Sequence, residues 1–300
     1  MNQSDLHHRF KQLSNPLKAL PTGTVPNLRE LTDIKVIAYD FYGTLFISGV
    51  GDIGIDDGKL DPTLFLDVLK SSGIEVISKD VATKGFNIYN NVVQQFIEKF
   101  SDEGIEYPEP DIREVWGHVL KRMKTESLIE YHENRQLLDQ ISIEFESRMN
   151  PVWPMPGVIE TLHHFKDLGI PQGIISNSQF YTPIVLESLT EQSLTDLGFS
   201  NQLLHWSYEE KMKKPGLPFY KNYLHKLNAF DTDLVAENVL FIGNDMLKDI
   251  WPAHSIGMKT ALFAGDKRSL KWRKDDKRCK HLKPDLIITE MIQLKECIHT

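Results

Sequence analysis

Four short stretches of the chain carry residue types that together could move a phosphoryl group. They are Asp40-Phe-Tyr-Gly-Thr44, Ile175-Ser176-Asn177, Lys213-Lys214-Pro215 and Gly243-Asn-Asp-Met-Leu-Lys-Asp249. A carboxylate such as Asp40 can serve as a nucleophile. Acids from two places can hold Mg²⁺, a hard ion that takes one or two carboxylates plus phosphate oxygens. A hydroxyl and backbone amides can bind phosphate oxygens, and a lysine can neutralise charge on the transferring group. Each stretch alone has an ordinary structural use: Ser176 as a helix cap, Lys214 as a surface lysine, Asp245 as an N-cap. Their combination in this order is what carries the chemistry.

The stretches fall where strands should end. Ile34, Val36, Ile37 and Ala38 form an apolar run too short for an ordinary helix, as a buried parallel strand does, and the run stops at Asp40 with Gly43 as a turn. Open α/β sheets bind ligands at the carboxyl ends of their strands. Further strands are expected over 170–176, 201–206, 238–242, 258–264 and 285–288. Helices are expected after Pro156-Gly157 and over 218–227, 247–256 and 290–298. Alternation of this kind predicts a parallel sheet with right-handed crossovers. Between 60 and 150 the pattern is instead helical, with apolar stripes at Leu64, Phe65, Val68 and Leu69, at Val92, Val93, Phe96, Ile97 and Phe100, at Val115, Val119, Leu120 and Met123, and at Leu137, Leu138, Ile141 and Phe145. The expected organisation is an α/β core domain over 33–59 and 151–300, a helical domain inserted at 60–150, and an N-terminal arm over 1–32. Pro16, Pro21, Gly23 and Pro26 predict that the arm is extended and carries no chemistry.

Composition narrows the setting. Of 300 residues, 41% are hydrophobic and 25% charged, as in an ordinary globular protein. Lys plus Arg number 34 against 42 Asp plus Glu, a net charge of −8 that argues against a nucleic-acid partner. The basic run from Lys267 to Lys280, interleaved by Trp272 and interrupted by Asp275 and Asp276, is read as a solvated loop. Gly49 to Gly58, with Asp52, Asp56 and Asp57, fails the pattern of an EF-hand calcium loop and is read as a mobile loop. Cys279 and Cys297 lack metal-type spacing, so free thiols in a reducing compartment are expected. No apolar run reaches a membrane span and no signal peptide opens the chain, which makes the cytoplasm the expected location.

With its motifs in this order, the chain from Asp33 to Ile298 resembles the haloacid dehalogenase-like (HAD) hydrolase superfamily, of the type with a helical cap after the first motif. The resemblance implies a Rossmann-like parallel core under a cap that closes over a small-molecule substrate. Carried over residue by residue, it makes Asp40 the nucleophile that forms an aspartyl-phosphate. Asp40 and the carbonyl of Tyr42 would bind Mg²⁺, with Asp245 and Asp249 completing the metal site. Thr44 would support the motif by hydrogen bonding, Ser176 and Asn177 would contact the phosphoryl group, and Lys214 would tie Asp40 to the phosphate.

Two departures stand out. Phosphatases of the superfamily usually carry a second Asp where this chain has Tyr42, and a phenol with a pKa near 10 is a feeble acid for the leaving alcohol. The Asp-x-Tyr-Gly-Thr form resembles 2-haloacid dehalogenases, which displace halide with the same Asp and no metal. Asn244 stands where a Gly-Asp pair is commonest, so the metal ligand is either Asp245 or the neutral Asn244, with the charged oxygen preferred. The expected function is a Mg²⁺-dependent phosphatase of a small phosphorylated metabolite. The alternatives are a 2-haloacid dehalogenase and a non-catalytic binding protein on the same fold.

Overall fold

The computed structural model describes residues 3–50, 62–132 and 134–299. Its centre is a six-stranded parallel sheet in the order β10-β9-β8-β1-β6-β7. The strands are β1 (Val36–Tyr39), β6 (Gln172–Ser176), β7 (Phe199–Trp206), β8 (Val239–Gly243), β9 (Lys259–Phe263) and β10 (Leu286–Ile288). Strand β1 is an interior strand, paired in parallel with β6 on one side and β8 on the other. All four of its residues are fully buried. Alternate side chains serve opposite layers: Ile37 and Tyr39 join one apolar cluster and Val36 and Ala38 another, as the two-residue period of a strand demands. Helices α6 (Val158–Asp167), α7 (Thr182–Thr190), α8 (Ser207–Glu210), α9 (Leu217–Phe230) and α10 (Trp251–Ser255) connect and flank these strands, giving a Rossmann-like α/β fold.

A second unit is inserted after β1. It enters and leaves through an antiparallel ribbon of β2 (Phe46–Ser48) and β5 (Val152–Pro154). Its helices are α2 (Pro62–Ser71), α3 (Val81–Asp102), α4 (Ile112–Thr125) and α5 (Arg135–Met149), with a short hairpin of β3 (Glu75–Val76) and β4 (Ile129–Glu130). The insert has its own apolar cluster, in which Trp116 lies 5.7 Å from Phe65, 5.1 Å from Tyr89 and 5.4 Å from Phe145, ring centre to ring centre. The glycine- and aspartate-rich stretch with Gly51, Asp52, Gly54, Asp56, Asp57 and Gly58 lies outside the described residues.

The arm differs from the expectation of an extended segment. Residues Gln3–Leu13 form helix α1. The reason is plain in retrospect: the first proline is Pro16, and the eleven residues of the helix contain no breaker. Leu6 and Phe10, four apart, share one face and are buried in the core cluster. The remaining arm runs extended along the core, bridging to Ile287 at Asn27 and to Ile298 at Leu31. Helix α7 was not foreseen either, because the β-branched run Thr182-Pro-Ile-Val carries no helical stripe of its own. The closing segment Met291–Glu296 winds as a tight 3₁₀ turn rather than an α-helix. Among the described residues, no helix is long and apolar enough to cross a membrane, and Cys279 and Cys297 are buried free thiols.

Candidate active site

Three neighbouring strands deliver polar residues to one edge of the sheet. Strand β6 ends at Ser176, β1 is followed by Asp40, and β8 ends at Gly243, followed by Asn244 and Asp245. The register pairs Tyr39 with both Ile174 and Ile242, so these three carboxyl ends lie side by side. Lys214 comes from the segment between α8 and α9.

Asp40 is held from one side. Its Oδ1 accepts a hydrogen bond from Ser176 Oγ at 2.9 Å and a contact from Lys214 Nζ at 2.6 Å. Its Oδ2 makes no hydrogen bond among the described residues. Lys214 also donates to Asp249 Oδ1 at 2.6 Å. Burial works against the Lys214 ammonium, but Asp249 and Asp40 outweigh it and leave its pKa above the ordinary lysine value. Asp249 is pushed up to about 7, first by burial, with Lys214 pulling it back and Asp40 and Asp245 raising it further. Its Oδ2 accepts from the backbone amides of Asn244 at 3.0 Å and Asp245 at 2.8 Å, which fixes the loop after β8. Gly243 is required here: a Cβ would stand 2.4 Å from that of Asp249. Gly43 is required too, with a φ of +86° and Ser269 and Asn244 within 3 Å of any added Cβ.

Asn244 and Asp245 have separate tasks. The Asn244 amide accepts from Thr44 Oγ1 at 3.0 Å and donates to the Ser269 carbonyl at 2.7 Å. Asp245 caps the next turn, accepting from the amides of Leu247 at 2.8 Å and Lys248 at 3.1 Å. That turn, Met246–Ile250, is a π-helix, with the amide of Ile250 reaching back to the Asp245 carbonyl at 3.2 Å. A π-turn absorbs one extra residue in a helix. The spacing between Gly243 and Asp249 therefore reads two ways in sequence because an additional residue sits inside the turn.

The remaining expected residues have defined partners. Asn177 Oδ1 accepts from the Lys214 amide at 2.8 Å, so it orients the lysine segment. Ser176 and Thr44 are fully buried and act on Asp40 and Asn244 respectively. The Tyr42 hydroxyl meets Thr182 Oγ1 at 3.2 Å. Burial, reinforced by Glu146, holds its pKa well above the ordinary phenol value. An open cleft brings Asp40, Tyr42, Asn177, Lys214, Asn244, Asp245 and Asp249 together with Ser48, Lys248 and Lys271.

Ser48, Lys248, Lys271 and Arg273 were not read from the sequence as site residues. The last two lie in the basic run that the sequence presents as a solvated loop. Here the structure differs: Lys271 lines the cleft, and Arg273 grips Asp245 with Nε at 3.0 Å and Nη2 at 2.6 Å from Oδ2. The available signal was positional, since the run follows a core strand and so begins at the ligand-binding edge. Among the described residues that line the cleft, Lys214, Lys248 and Lys271 stand with the carboxylates of Asp40, Asp245 and Asp249, three of each sign.

For a hard divalent cation, the donor types are present. Asp40 and Asp245 are two carboxylates on the same cleft. No group of three or more Asp, Glu, His or Cys residues among those described is already assembled around a metal position. The chain thus has the oxygens for Mg²⁺, with Asp245 occupied by Arg273.

Comparison with known proteins agrees with this architecture. The family of haloacid dehalogenase-like hydrolases matches residues 86–263, more than half of the chain. A 2-haloacid dehalogenase from Pseudomonas syringae pv. Tomato DC3000 is 18% identical, with 88% of this chain and 97% of that one covered and a TM-score of 0.51. L-2-haloacid dehalogenase from Xanthobacter autotrophicus, with chloropropionic acid covalently bound, is 13% identical over 88% and 97% of the two chains, at a TM-score of 0.47. An HAD phosphatase from Thermococcus onnurineus is 16% identical over the same shares, at 0.45. No curated protein matches the chain. The first of these likenesses speaks to the fold and not to a substrate. The matched segment, the parallel sheet and its polar edge lead to one conclusion: the chain belongs to the haloacid dehalogenase-like hydrolase family.

Proposed function

We propose that the protein is a Mg²⁺-dependent phosphatase of a small phosphorylated metabolite, with Asp40 as nucleophile and the helical insert as the cap over its substrate. The observation that carries this reading is the environment of Asp40. Oδ1 is pinned by Ser176 and Lys214, while Oδ2 makes no hydrogen bond among the described residues and faces a cleft that Lys248 and Lys271 also line.

Oδ2 of Asp40 would attack phosphorus, forming an O–P bond as the P–O bond to the leaving alcohol breaks. Water then attacks the phosphorus of the aspartyl-phosphate and frees inorganic phosphate, returning Asp40 as a carboxylate. Lys214 balances charge on the nucleophile and holds it against Asp249. Asp40, the Tyr42 carbonyl and Asp245 would hold Mg²⁺, whose contribution is to offset the charge of the phosphoryl oxygens, while Asp249, expected from the sequence as a further ligand, has its oxygens on Lys214 and on the amides of Asn244 and Asp245. Tyr42 is a poor source of the leaving-group proton, because burial makes its hydroxyl harder to ionise than a free phenol. Substrates with good leaving groups are therefore expected to be turned over fastest. The same tyrosine favours the second reading, a 2-haloacid dehalogenase, in which no leaving alcohol needs a proton.

The test is phosphate release from p-nitrophenyl phosphate with Mg²⁺ and with EDTA, for the parent and Asp40→Asn. Release that needs Mg²⁺ and falls at least ~10³-fold in the variant is the expected result. A folded parent that leaves this ester intact but frees chloride from 2-chloropropionate would overturn the phosphatase reading in favour of the second.

A further inference from the structure

Asp245 is wrapped more completely than a waiting metal ligand needs to be. Besides the two backbone amides that it caps, it takes a forked contact from Arg273, with Nε at 3.2 Å from Oδ1 and at 3.0 Å from Oδ2, and Nη2 at 2.6 Å from Oδ2. Bidentate pairs of this kind are among the stronger polar contacts in proteins, and their geometry is specific to arginine. The carboxylate is almost wholly buried and the guanidinium about a third exposed.

The loop that brings the arginine is itself fastened to the site. Its Lys271 amide donates to the Asn244 carbonyl at 3.0 Å, and the Met246 amide donates to the Lys271 carbonyl at 2.9 Å. Two residues on, Arg273 adopts a φ of +49°, a left-handed conformation uncommon for a side chain with a Cβ. The segment between β9 and β10 thus reaches the edge of β8 with its arginine on Asp245.

We infer that Arg273 is an internal counter-ion that competes with the divalent metal for Asp245, so that metal enters the site only when the guanidinium lets go. This rests on the metal-dependent reading of the site above. Metal–Asp245 and Arg273–Asp245 contacts draw on the same oxygens, and each weakens the other by the same factor. A site built this way keeps Asp245 neutralised without metal and binds the metal more weakly than its carboxylates alone would.

The test measures metal binding directly. Mn²⁺, which also prefers oxygen ligands, is titrated into the full chain and the free ion is counted by electron paramagnetic resonance. The proteins are the parent, Arg273→Met and Arg273→Lys, each checked for folding by circular dichroism. Arg273→Met is expected to bind Mn²⁺ about tenfold more tightly than the parent, within the usual range of coupling between sites. Arg273→Lys, which keeps the charge but loses the fork, is expected between the two and serves as the measure if the Met variant does not fold. Equal affinity in the parent and the folded variants overturns the competition and leaves the metal reading intact. Absence of binding in every folded protein overturns both.

Discussion

At the carboxyl ends of β6, β1 and β8, Asp40, Asp245, Asp249 and Lys214 are packed with almost no exposure. Inside the insert, Phe65, Tyr89, Trp116 and Phe145 are packed just as closely. The first region can be buried because every charge in it has a partner of opposite sign or a backbone amide. The second is buried because it contains little that water would bind. A buried ion pair stabilises little relative to an apolar substitute, but breaking one partner is costly. An aromatic cluster stabilises by area and shape, so its cost of damage follows the volume removed. The same burial therefore has different failure modes in the two regions.

Lys214→Met should be the most damaging single change of this kind. It leaves Asp40 and Asp249 facing each other without their shared cation, and a loss of about 3–5 kcal/mol is expected in urea unfolding. Hydrolysis should vanish even in the folded fraction. If stability were unchanged, the sheet edge would not be held by its charges, and the contrast would fail there.

In the insert, Trp116→Ala should cost about 3–4 kcal/mol by leaving a cavity among its aromatic neighbours. Trp116→Phe should cost much less, since the indole N–H has no hydrogen-bond partner among the described residues to lose. A large penalty for the Phe variant would show that the insert depends on polarity after all.

A smaller effect separates the two regions by pH. His205 on β7 is fully buried, with Nε2 2.8 Å from the Phe219 carbonyl. Its pKa is lowered to about 4, first by burial and then by Lys226, with Glu210 and the Phe219 carbonyl pulling the other way. Because the folded value lies below the unfolded one near 6.5, the unfolded chain binds the proton more readily. Stability supplied by the neutral imidazole is full above about pH 6.5 and is lost progressively as the pH falls toward 4. The free energy of unfolding should fall by up to about 3 kcal/mol over that window, and His205→Asn should flatten the slope.

The contrast also explains what could be read from the chain alone. Strand β1 was legible because an apolar run ending in an aspartate is constrained from both faces and at its end. The stripes of the insert were legible as helices, but aromatic residues at helical spacing describe a packed interior and name no ligand. Asp40, Lys214 and Asp249 stood out by type and order, and they meet within hydrogen-bonding distance. Arg273 and Lys271 did not, because a cation in a basic run gives no sign of which carboxylate it will meet across a sheet. The π-turn was hidden as well, since one added residue changes spacing without changing residue type. Helix α1 was obscured by prolines that lie beyond its end.

Helix α1 also bears on how the insert can move. The Arg9 side chain pairs with the fully buried Glu144 of α5, while Lys11 meets Glu191 beside α7, and His7 approaches Glu187 on α7 at 3.4 Å. A body joined only through β2 and β5 would swing about that ribbon as a door swings on its frame. The contacts of α1, together with those of Tyr107 and Glu109 to Lys213 and Lys211 and of Ile112 and Pro110 to Gln179, fasten the insert away from that axis and convert the swing into a latch that must first be undone. Trimming the first thirteen residues would consequently alter traffic through the cleft while leaving every residue that lines it in place.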